Sequence, residues 1–243
     1  MTELFVCGMG PGNRENMTLG VARALQDCDT IVGYTVYLDL LRQDYPDKEF
    51  LSTPMTGEVK RCSMALAEAE KGKKVVMVSS GDSGLYGMAS LLFELRGEKK
   101  EPEIRVLPGI SAAFAGAALL GSPMTHDTAL ISLSDRLTPW DLIEKRLEKA
   151  AEGDFCIAIY NPRSKTRPDH LKRAVRILLT VLPPDRLCGV CHQIGREGEA
   201  WKLLPLKDLE EYPADMFTTV FIGNAMTREI AGRMVTPRGY HHG

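Results

Sequence analysis

The sequence predicts an α/β protein of two domains, and three features of the 243-residue chain support this. Short apolar runs alternate with segments whose apolar residues recur at helical spacing, which favours parallel or mostly parallel sheets covered by helices. Glycine-rich turns follow several of the apolar runs. A segment rich in small residues, Ile110–Gly121, lies at mid-chain, and we place the boundary after it, giving domains 1–121 and 122–243.

Nine apolar runs have the length and composition of strands. They are Leu4–Gly8, Thr30–Gly33, Lys74–Ser79, Glu103–Pro108, Thr128–Ser134, Asp154–Tyr160, Leu187–His192, Trp201–Pro205 and Thr218–Gly223. Their alternation with helical segments indicates repeated strand–helix units.

Three helical segments are well marked. The clearest runs from Thr166 to Leu182 and ends at Pro183, since proline cannot continue a helix. Another runs from about Gly57 to Lys71, with Gly72 suited to the position after its end. Its predicted inward residues are Val59, Cys62, Leu66 and Ala69. Thr18 is the predicted N-cap of an earlier helix.

Composition narrows the classes of function. The net charge is −2 and the pI about 6.2, so the chain lacks the basic balance of a nucleic-acid-binding protein. No apolar run approaches the roughly 20 residues that span a bilayer. The start of the chain lacks the basic region of a signal peptide, so we expect a cytoplasmic protein without a membrane partner. In that compartment the six cysteines should be reduced.

No protein metal site is expected. Cys188 and Cys191 have ligand-like spacing, but they lie in a predicted strand, where residues three apart point to opposite faces. No second cysteine pair completes a ligand set, and the histidines show no ligand spacing. These are His126, His170, His192, His241 and His242.

The first glycine cluster, Gly8–Gly12, directly follows the first predicted strand. A nicotinamide-dependent reductase is one interpretation, but the dinucleotide fingerprint needs G-x-G-x-x-G opening straight into a helix. Here the third glycine comes one residue early, and Pro11 removes a donor N–H group. A tight turn that lets a ligand approach the backbone is the favoured interpretation.

Two further clusters also follow strands. In Ser79–Gly87, Asp82 could pair with the amino group of a zwitterionic ligand, or could simply N-cap the next helix. In Pro108–Ala113, Ser111 suits an N-cap, while free N–H groups at the helix start suit a ligand carboxylate.

The fourth cluster, Tyr160–Arg167, is basic. Arg163, Lys165 and Arg167 lie in a loop before the predicted helix, where they could hold carboxylates. Three more basic residues, Lys172, Arg173 and Arg176, are interpreted as the solvent face of that helix.

In this order, the four clusters resemble the tetrapyrrole methylase family, the class III S-adenosylmethionine-dependent methyltransferases, over nearly the whole chain. His126-Asp127, Leu133–Trp140, Tyr160–Lys165 and Thr236–Tyr240 are similar to the members that methylate carbon 17 of precorrin-3B or cobalt-factor III in cobalamin synthesis. Arg136 departs from the apolar residue expected there. Some relatives carry an iron–sulfur extension, which is not expected here.

The resemblance implies two α/β/α domains with S-adenosylmethionine in the interdomain cleft, a tetrapyrrole substrate, and a homodimer. It implies ring contraction coupled to methylation, which requires proton transfer. The cofactor contacts that it implies are Pro11, Gly81, Asp82, Leu85, Ser111, Ala112, Asn161 and His192.

Two residues are candidates for the proton transfer. Tyr34 stands where many members have a catalytic aspartate, so that role does not carry over, but Tyr34 itself is a candidate. His126 is the other, with a hydrogen-bonded histidine of the linker as the alternative.

Other functions stay open at this point. A methyltransferase of the same fold could act on another precorrin position or on ribosomal RNA, although an acidic pI argues against RNA. A non-catalytic tetrapyrrole carrier and the reductase described above are the remaining alternatives. The substrate is either metal-free or cobalt-containing.

Overall fold

The computed structural model describes residues 2–240, and the chain divides into two compact units, Met1–Ala112 and Ala113–Gly243. The first unit consists of β1 (Glu3–Gly8), α1 (Leu19–Asp27), β2 (Thr30–Tyr34), α2 (Thr35–Asp39), β3 (Glu49–Thr53), α3 (Glu58–Glu70), β4 (Val75–Ser79), α4 (Ala89–Arg96) and β5 (Glu103–Leu107). Its five strands form a wholly parallel sheet in the order β3-β2-β4-β1-β5.

Helices cover both faces of this sheet. In β4, Val75 and Met77 pack in one buried cluster with residues of α3 and α4. Val76 and Val78 point the other way, into a cluster with residues of α1 and α2. Burial on both faces explains why the strands are continuous apolar runs without polar alternation.

The second unit contains all but the first residue of α5 (Ala112–Leu120). It continues with β6 (Gly121–Ser122), β7 (Thr128–Ser132), α6 (Trp140–Glu152), β8 (Cys156–Tyr160), α7 (His170–Leu179), β9 (Leu187–His192), β10 (Ala200–Pro205), a 3-10 turn (Leu206–Leu209), β11 (Thr218–Ile222), β12 (Arg228–Ile230) and β13 (Arg233–Val235). Its main sheet has the order β10-β9-β11-β8-β7, and a small sheet has the order β12-β13-β6.

The main sheet of the second unit is mixed, whereas a mostly parallel sheet was expected. β7 and β8 are parallel, but β11 runs antiparallel to β8 and β9, and β10 antiparallel to β9. For β10 the reason is connection length: segment 193–199 between β9 and β10 is shorter than the dozen residues that a parallel crossover needs. The carboxyl ends of β7, β8 and β9 still lie at one edge.

The contacts divide the chain between Ala112 and Ala113, at the first residue of α5, whereas the sequence places the boundary after Gly121. α5 packs within the second unit because it carries glycine at the contact. A Cβ at Gly116 would lie 2.8 Å from the Phe221 ring and 3.0 Å from Ile194. The small residues therefore bring α5 close to its own sheet.

All nine predicted strands are confirmed, with ends that differ by up to two residues. The Thr18 hydroxyl accepts a hydrogen bond from the Val21 N–H group at 3.4 Å, as expected of an N-cap. The helix predicted from Thr166 begins only at His170, because segment 161–169 forms a loop. The edge strand β3, with little apolar alternation, was not predicted. No helix within residues 2–240 is long and apolar enough to cross a membrane.

Candidate active site

Three glycine-rich loops meet where β1, β4 and β5 end in the first unit. Gly10 and Gly81 exchange backbone hydrogen bonds of 3.1 and 2.7 Å. A Cβ at Gly8 would lie 2.5 Å from the Gly81 carbonyl oxygen and 2.7 Å from the Gly109 nitrogen. No side chain fits at these contacts, so this edge of the sheet is built from backbone.

Asp82 ties two of these loops together. One carboxylate oxygen accepts hydrogen bonds from the N–H groups of Gly84 (2.8 Å) and Leu85 (3.0 Å). The other accepts one from the Gly109 N–H group at 3.0 Å. A carboxylate offers about four lone-pair sites, so one is left for a ligand cation. The alternative of an N-cap is wrong, because α4 begins only at Ala89.

The remaining cofactor candidates of the first unit lie around the same edge. Pro11 is buried in the first loop, and Leu85 is half-buried in the second. Ser111 is buried directly before α5, and the Cα of Ser111 and the nitrogen of Ala112 each lie 3.7 Å from a Cβ built at Gly81. The structure thus brings together six residues that the sequence scatters over a hundred positions.

Tyr34 ends β2 and is half-buried. Its ring meets the Tyr37 ring edge-on, with centroids 5.2 Å apart. The guanidinium carbon of Arg61 lies 5.8 Å from the Tyr34 ring centroid, within the range of a cation–π contact. The Tyr34 side chain therefore lies in the part of the first sheet that β2 and β3 form.

In the second unit, the ends of β7, β8 and β9 carry polar side chains instead of glycine. Asn161 follows β8 in a left-handed conformation (φ 53°), which asparagine tolerates, and its side-chain amide donates to the Ser132 hydroxyl at 2.9 Å. His192 ends β9, with Nε2 3.0 Å from a carboxylate oxygen of Asp215. Burial raises the pKa of Asp215, but hydrogen bonds from His192 and Thr218 outweigh it, and the pKa is lowered overall.

The basic loop after β8 contains residues of two kinds. Arg163 and Lys165 are exposed. The Arg167 side chain is only 13% exposed, and its guanidinium is held by the hydroxyls of Ser134 (2.6 Å) and Ser164 (3.2 Å). Within the described chain its Nη2 group donates to no protein atom, so one side of a fixed guanidinium is available to a ligand.

The basic residues of α7 are engaged at the surface, as their interpretation as a solvent face predicts. Lys172 pairs with Glu211, and Arg176 pairs with Glu210 at 2.8 Å. The Arg173 guanidinium lies 3.9 Å from the Trp140 ring centroid.

An aspartate–histidine pair, which the sequence did not reveal, lies beside Arg167. A carboxylate oxygen of Asp135 is 3.0 Å from Nε2 of the buried His170, and the other is 3.9 Å from Arg167. Burial raises the pKa of Asp135, but the interactions with His170 and then Arg167 lower it below its ordinary value overall. Asp135 lies in the Leu133–Trp140 motif, but no periodic signal in the sequence links it to a residue on α7.

His126 contacts the C-terminal segment. Its Nε2 atom is 2.9 Å from the carbonyl oxygen of Pro237. The neighbouring Thr236 is buried, and its hydroxyl donates to the Pro123 carbonyl at 2.7 Å. These contacts match the alternative of a hydrogen-bonded histidine, and among the described residues Nδ1 has no hydrogen-bond partner.

The thiols of Cys188 and Cys191 have separate partners. Cys188 contacts the Arg186 carbonyl at 3.3 Å, and Cys191 contacts the Gly116 carbonyl at 3.4 Å. Burial raises the pKa of Cys191 to about 12. Residues 2–240 contain no group of three potential metal-ligating side chains, while His241 and His242 lie outside the described residues.

A family model described as Tetrapyrrole (Corrin/Porphyrin) Methylases matches residues 3–210. A probable cobalt-factor III C(17)-methyltransferase of Salmonella typhimurium is 44% identical over 98% of this chain and 99% of its own length. A cobalt-factor III methyltransferase of Priestia megaterium is 45% identical over 98% of this chain, which spans 45% of that protein's length.

Solved structures agree with these relatives. The crystal structure of the methyltransferase CobJ matches with a TM-score of 0.91 and 40% identity, covering 98% of this chain and 100% of CobJ. A uroporphyrin-III C-methyltransferase from Thermus thermophilus, solved with S-adenosylhomocysteine, has a TM-score of 0.69 at 18% identity over 91% of this chain and 92% of its own. The latter shows a shared fold.

Proposed function

Because this chain belongs to the tetrapyrrole methylase family, we propose that it transfers a methyl group to carbon 17 of precorrin-3B or cobalt-factor III, coupled to ring contraction, in cobalamin biosynthesis. The observation that carries the proposal is the full-length match, at 44% identity over 99% of the Salmonella typhimurium relative and a TM-score of 0.91 with CobJ. Cobalt, where present, belongs to the substrate.

S-adenosylmethionine, the methyl donor that the family implies, would supply an electrophilic methyl group on a sulfonium. The edge formed by β1, β4 and β5 fits such a ligand: closely packed backbone, small residues and one carboxylate with a free lone pair. Asp82 would bind the ammonium group. The other proposed contacts are Pro11, Gly81, Leu85, Ser111, Ala112, Asn161 and His192.

The substrate carries several acetate and propionate groups, while the protein has a net charge of −2. A local cationic site must therefore attract it. Arg167 is suited to this role because two serine hydroxyls fix its guanidinium, so little side-chain entropy is lost when a carboxylate binds. Arg163 and Lys165 would add exposed charge nearby.

Methyl transfer itself needs no protein nucleophile, since the substrate carbon attacks the methyl group. The protein would contribute positioning and exclusion of water. Ring contraction needs proton transfer, for which Tyr34 and His126 are the proposed residues. His126 would act through Nδ1, because Nε2 faces the Pro237 carbonyl. A homodimer in the cytoplasm is the proposed working state.

The structure also favours methyl transfer over nicotinamide reduction. In Gly8–Gly12, the Met9 and Gly10 N–H groups donate to the carbonyls of Ser79 and Gly81. α1 begins only at Leu19, so no helix start follows the turn to bind a pyrophosphate. A methyltransferase acting on another precorrin position or on ribosomal RNA is the alternative within the same fold.

Methyl-labelled S-adenosylmethionine tests the proposal directly. The protein is incubated with labelled cofactor and, in parallel, precorrin-3B or cobalt-factor III, and the products are analysed by mass spectrometry and NMR. One labelled methyl at carbon 17 is expected with one of the two substrates. A label at another carbon would support the alternative precorrin activity, and no transfer to either macrocycle would contradict the proposal.

A further inference from the structure

Arg61, in the first turns of α3, is a buried cation without an acidic partner. The residue is only 5% exposed. Among the described residues, no carboxylate lies within ion-pair distance of its guanidinium, whereas Arg42, Arg105 and Arg176 each pair with one. Arginine keeps its charge at any physiological pH, and a buried unpaired charge is strongly unfavourable.

The hydrogen-bond partners of Arg61 are all neutral. Nε donates to the Thr53 hydroxyl at 3.0 Å, and Nη2 donates to the Pro54 carbonyl at 3.1 Å. Within the part of the chain that the structure describes, Nη1 donates only to the sulfur of Met88, at 3.5 Å, and a thioether is a weak acceptor. A guanidinium has five N–H groups, so its two outer nitrogens retain donors for a better acceptor.

A purely structural role does not require this charge. A hydroxyl, a carbonyl and a thioether could pack against an uncharged side chain of similar volume. Even buried ion pairs can often be replaced by apolar residues of similar volume without loss of stability. Apart from the long cation–π contact with Tyr34, at 5.8 Å, the fold gives no reason for the charge of Arg61, and an anionic ligand does.

On the basis of the proposed function, we propose that Arg61 binds one acetate or propionate group of the tetrapyrrole, beside Tyr34. Thr53 ends β3, Pro54 follows it, and Tyr34 ends β2, so Arg61 lies at the carboxyl ends of parallel strands, where open α/β sheets bind ligands. The planar guanidinium can meet a carboxylate with two hydrogen bonds. Met88 is half-buried and flexible, and its sulfur would give way to the carboxylate.

The test compares Arg61→Met, Arg61→Lys and the control Arg42→Met, whose exposed arginine also lies over an aromatic ring, Phe50. Uroporphyrin III, an octacarboxylate, is titrated into each protein and followed by its fluorescence. Arg61→Met should weaken its binding about tenfold or more, Arg61→Lys less, and Arg42→Met by less than twofold. The uncharged octamethyl ester should not distinguish wild type from Arg61→Met.

Two controls separate the possible outcomes. Binding of S-adenosylhomocysteine and the Tm should be unchanged in Arg61→Met, or the Tm raised. If Arg61→Met has a lower Tm and unchanged porphyrin affinity, the proposal is overturned. Arg61 would then only stabilise the loop between β3 and α3. Loss of S-adenosylhomocysteine affinity alone would assign Arg61 to the cofactor carboxylate instead. Porphyrin affinity needs no methyl transfer, so this result stands or falls separately from the labelling experiment.

Discussion

The two main sheets end in edges of different chemistry. Where β1, β4 and β5 end, the contacts are backbone to backbone, through Gly8, Gly81 and Gly109, and one carboxylate joins the loops. Where β7 and β8 end, the contacts are between side chains, among them Arg167 and Asp135. Backbone allows close approach to a ligand of constant shape, whereas charged side chains recognise the pattern of carboxylates on a substrate.

The largest expected effect comes from placing a side chain in the backbone edge. In Gly109→Ala, the Cβ would lie 2.1 Å from the Gly81 carbonyl oxygen and 2.3 Å from that of Gly8. Gly8 ends β1 and Gly81 lies in the loop after β4, and neither can shift independently, so the free energy of unfolding should fall by about 3 kcal/mol or more. Urea unfolding measures it.

Gly20→Ala is the matched control, because no atom lies within 4 Å of a Cβ there and the residue is helical. It should leave stability unchanged or raise it by up to about 1 kcal/mol. Equal stability of the two variants would mean that the three loops are not closely packed.

Loss of charge in the side-chain edge should affect substrate and not fold. Arg163→Ala should raise the substrate KM several-fold at low salt and leave cofactor affinity unchanged, because exposed charges attract at distances up to the Debye length, about 10 Å at 0.1 M salt. Arg176→Ala should do little, since that side chain pairs with Glu210 on the surface. Kinetics at two salt concentrations measure both. Equal, small effects would mean that the loop is merely a solvated surface.

The sequence predicted the parts of the molecule that local patterns determine. The strands were recognisable because burial on both faces requires continuous apolar runs, as in Val75–Ser79. The glycine turns were recognisable because close backbone approach leaves few other residues possible. The sequence indicated Asp82 as a candidate ligand residue. It did not indicate the hydrogen bond that Asp82 accepts from Gly109, since this bond joins loops 27 residues apart.

Burial of charge was not predictable from periodicity. Among the four residues of α3 that were expected to point inward, Cys62 and Ala69 are buried but Val59 is 57% exposed. Arg61, which was not expected to point inward, is buried. Apolar periodicity cannot identify a buried cation, because it assigns every arginine to the solvent face. The pairing of Asp135 with His170 was missed for a similar reason: it depends on how the loop after β7 meets α7, a tertiary contact without a local signal.

A smaller effect, on stability, is expected at low pH. Because the pKa of Asp135 is lowered in the folded protein, its carboxylate contributes stability above the unfolded-state value, about 3.9, and the contribution is lost as pH falls further. Asp135→Asn should thus narrow the difference in Tm between pH 6 and pH 3 relative to wild type. Thermal unfolding at the two pH values measures it, and an unchanged difference would show that the Asp135–His170 contact adds no stability.

The smallest expected effect concerns the reactivity of the cysteine thiols, which should be low in both sheets. Burial raises the pKa of Cys7, under the backbone edge, to about 12, and burial also raises that of Cys188 in the second sheet. Buried thiols with raised pKa values react slowly. The native protein should therefore show little reaction with a thiol reagent at pH 8, and all six cysteines should react in urea. Rapid reaction without urea would indicate that one of the sheets opens readily.

The central claim is that the carboxylate in the backbone edge binds the cofactor, while the arginine in the side-chain edge binds the substrate. Calorimetric titrations of Asp82→Asn and Arg167→Met with S-adenosylhomocysteine and with uroporphyrin III test it most directly. Asp82→Asn should lose about 1.5–3 kcal/mol of S-adenosylhomocysteine affinity and keep porphyrin affinity, and Arg167→Met should show the reverse. If both substitutions weaken the same ligand, or neither weakens either, the assignment of the two edges is contradicted.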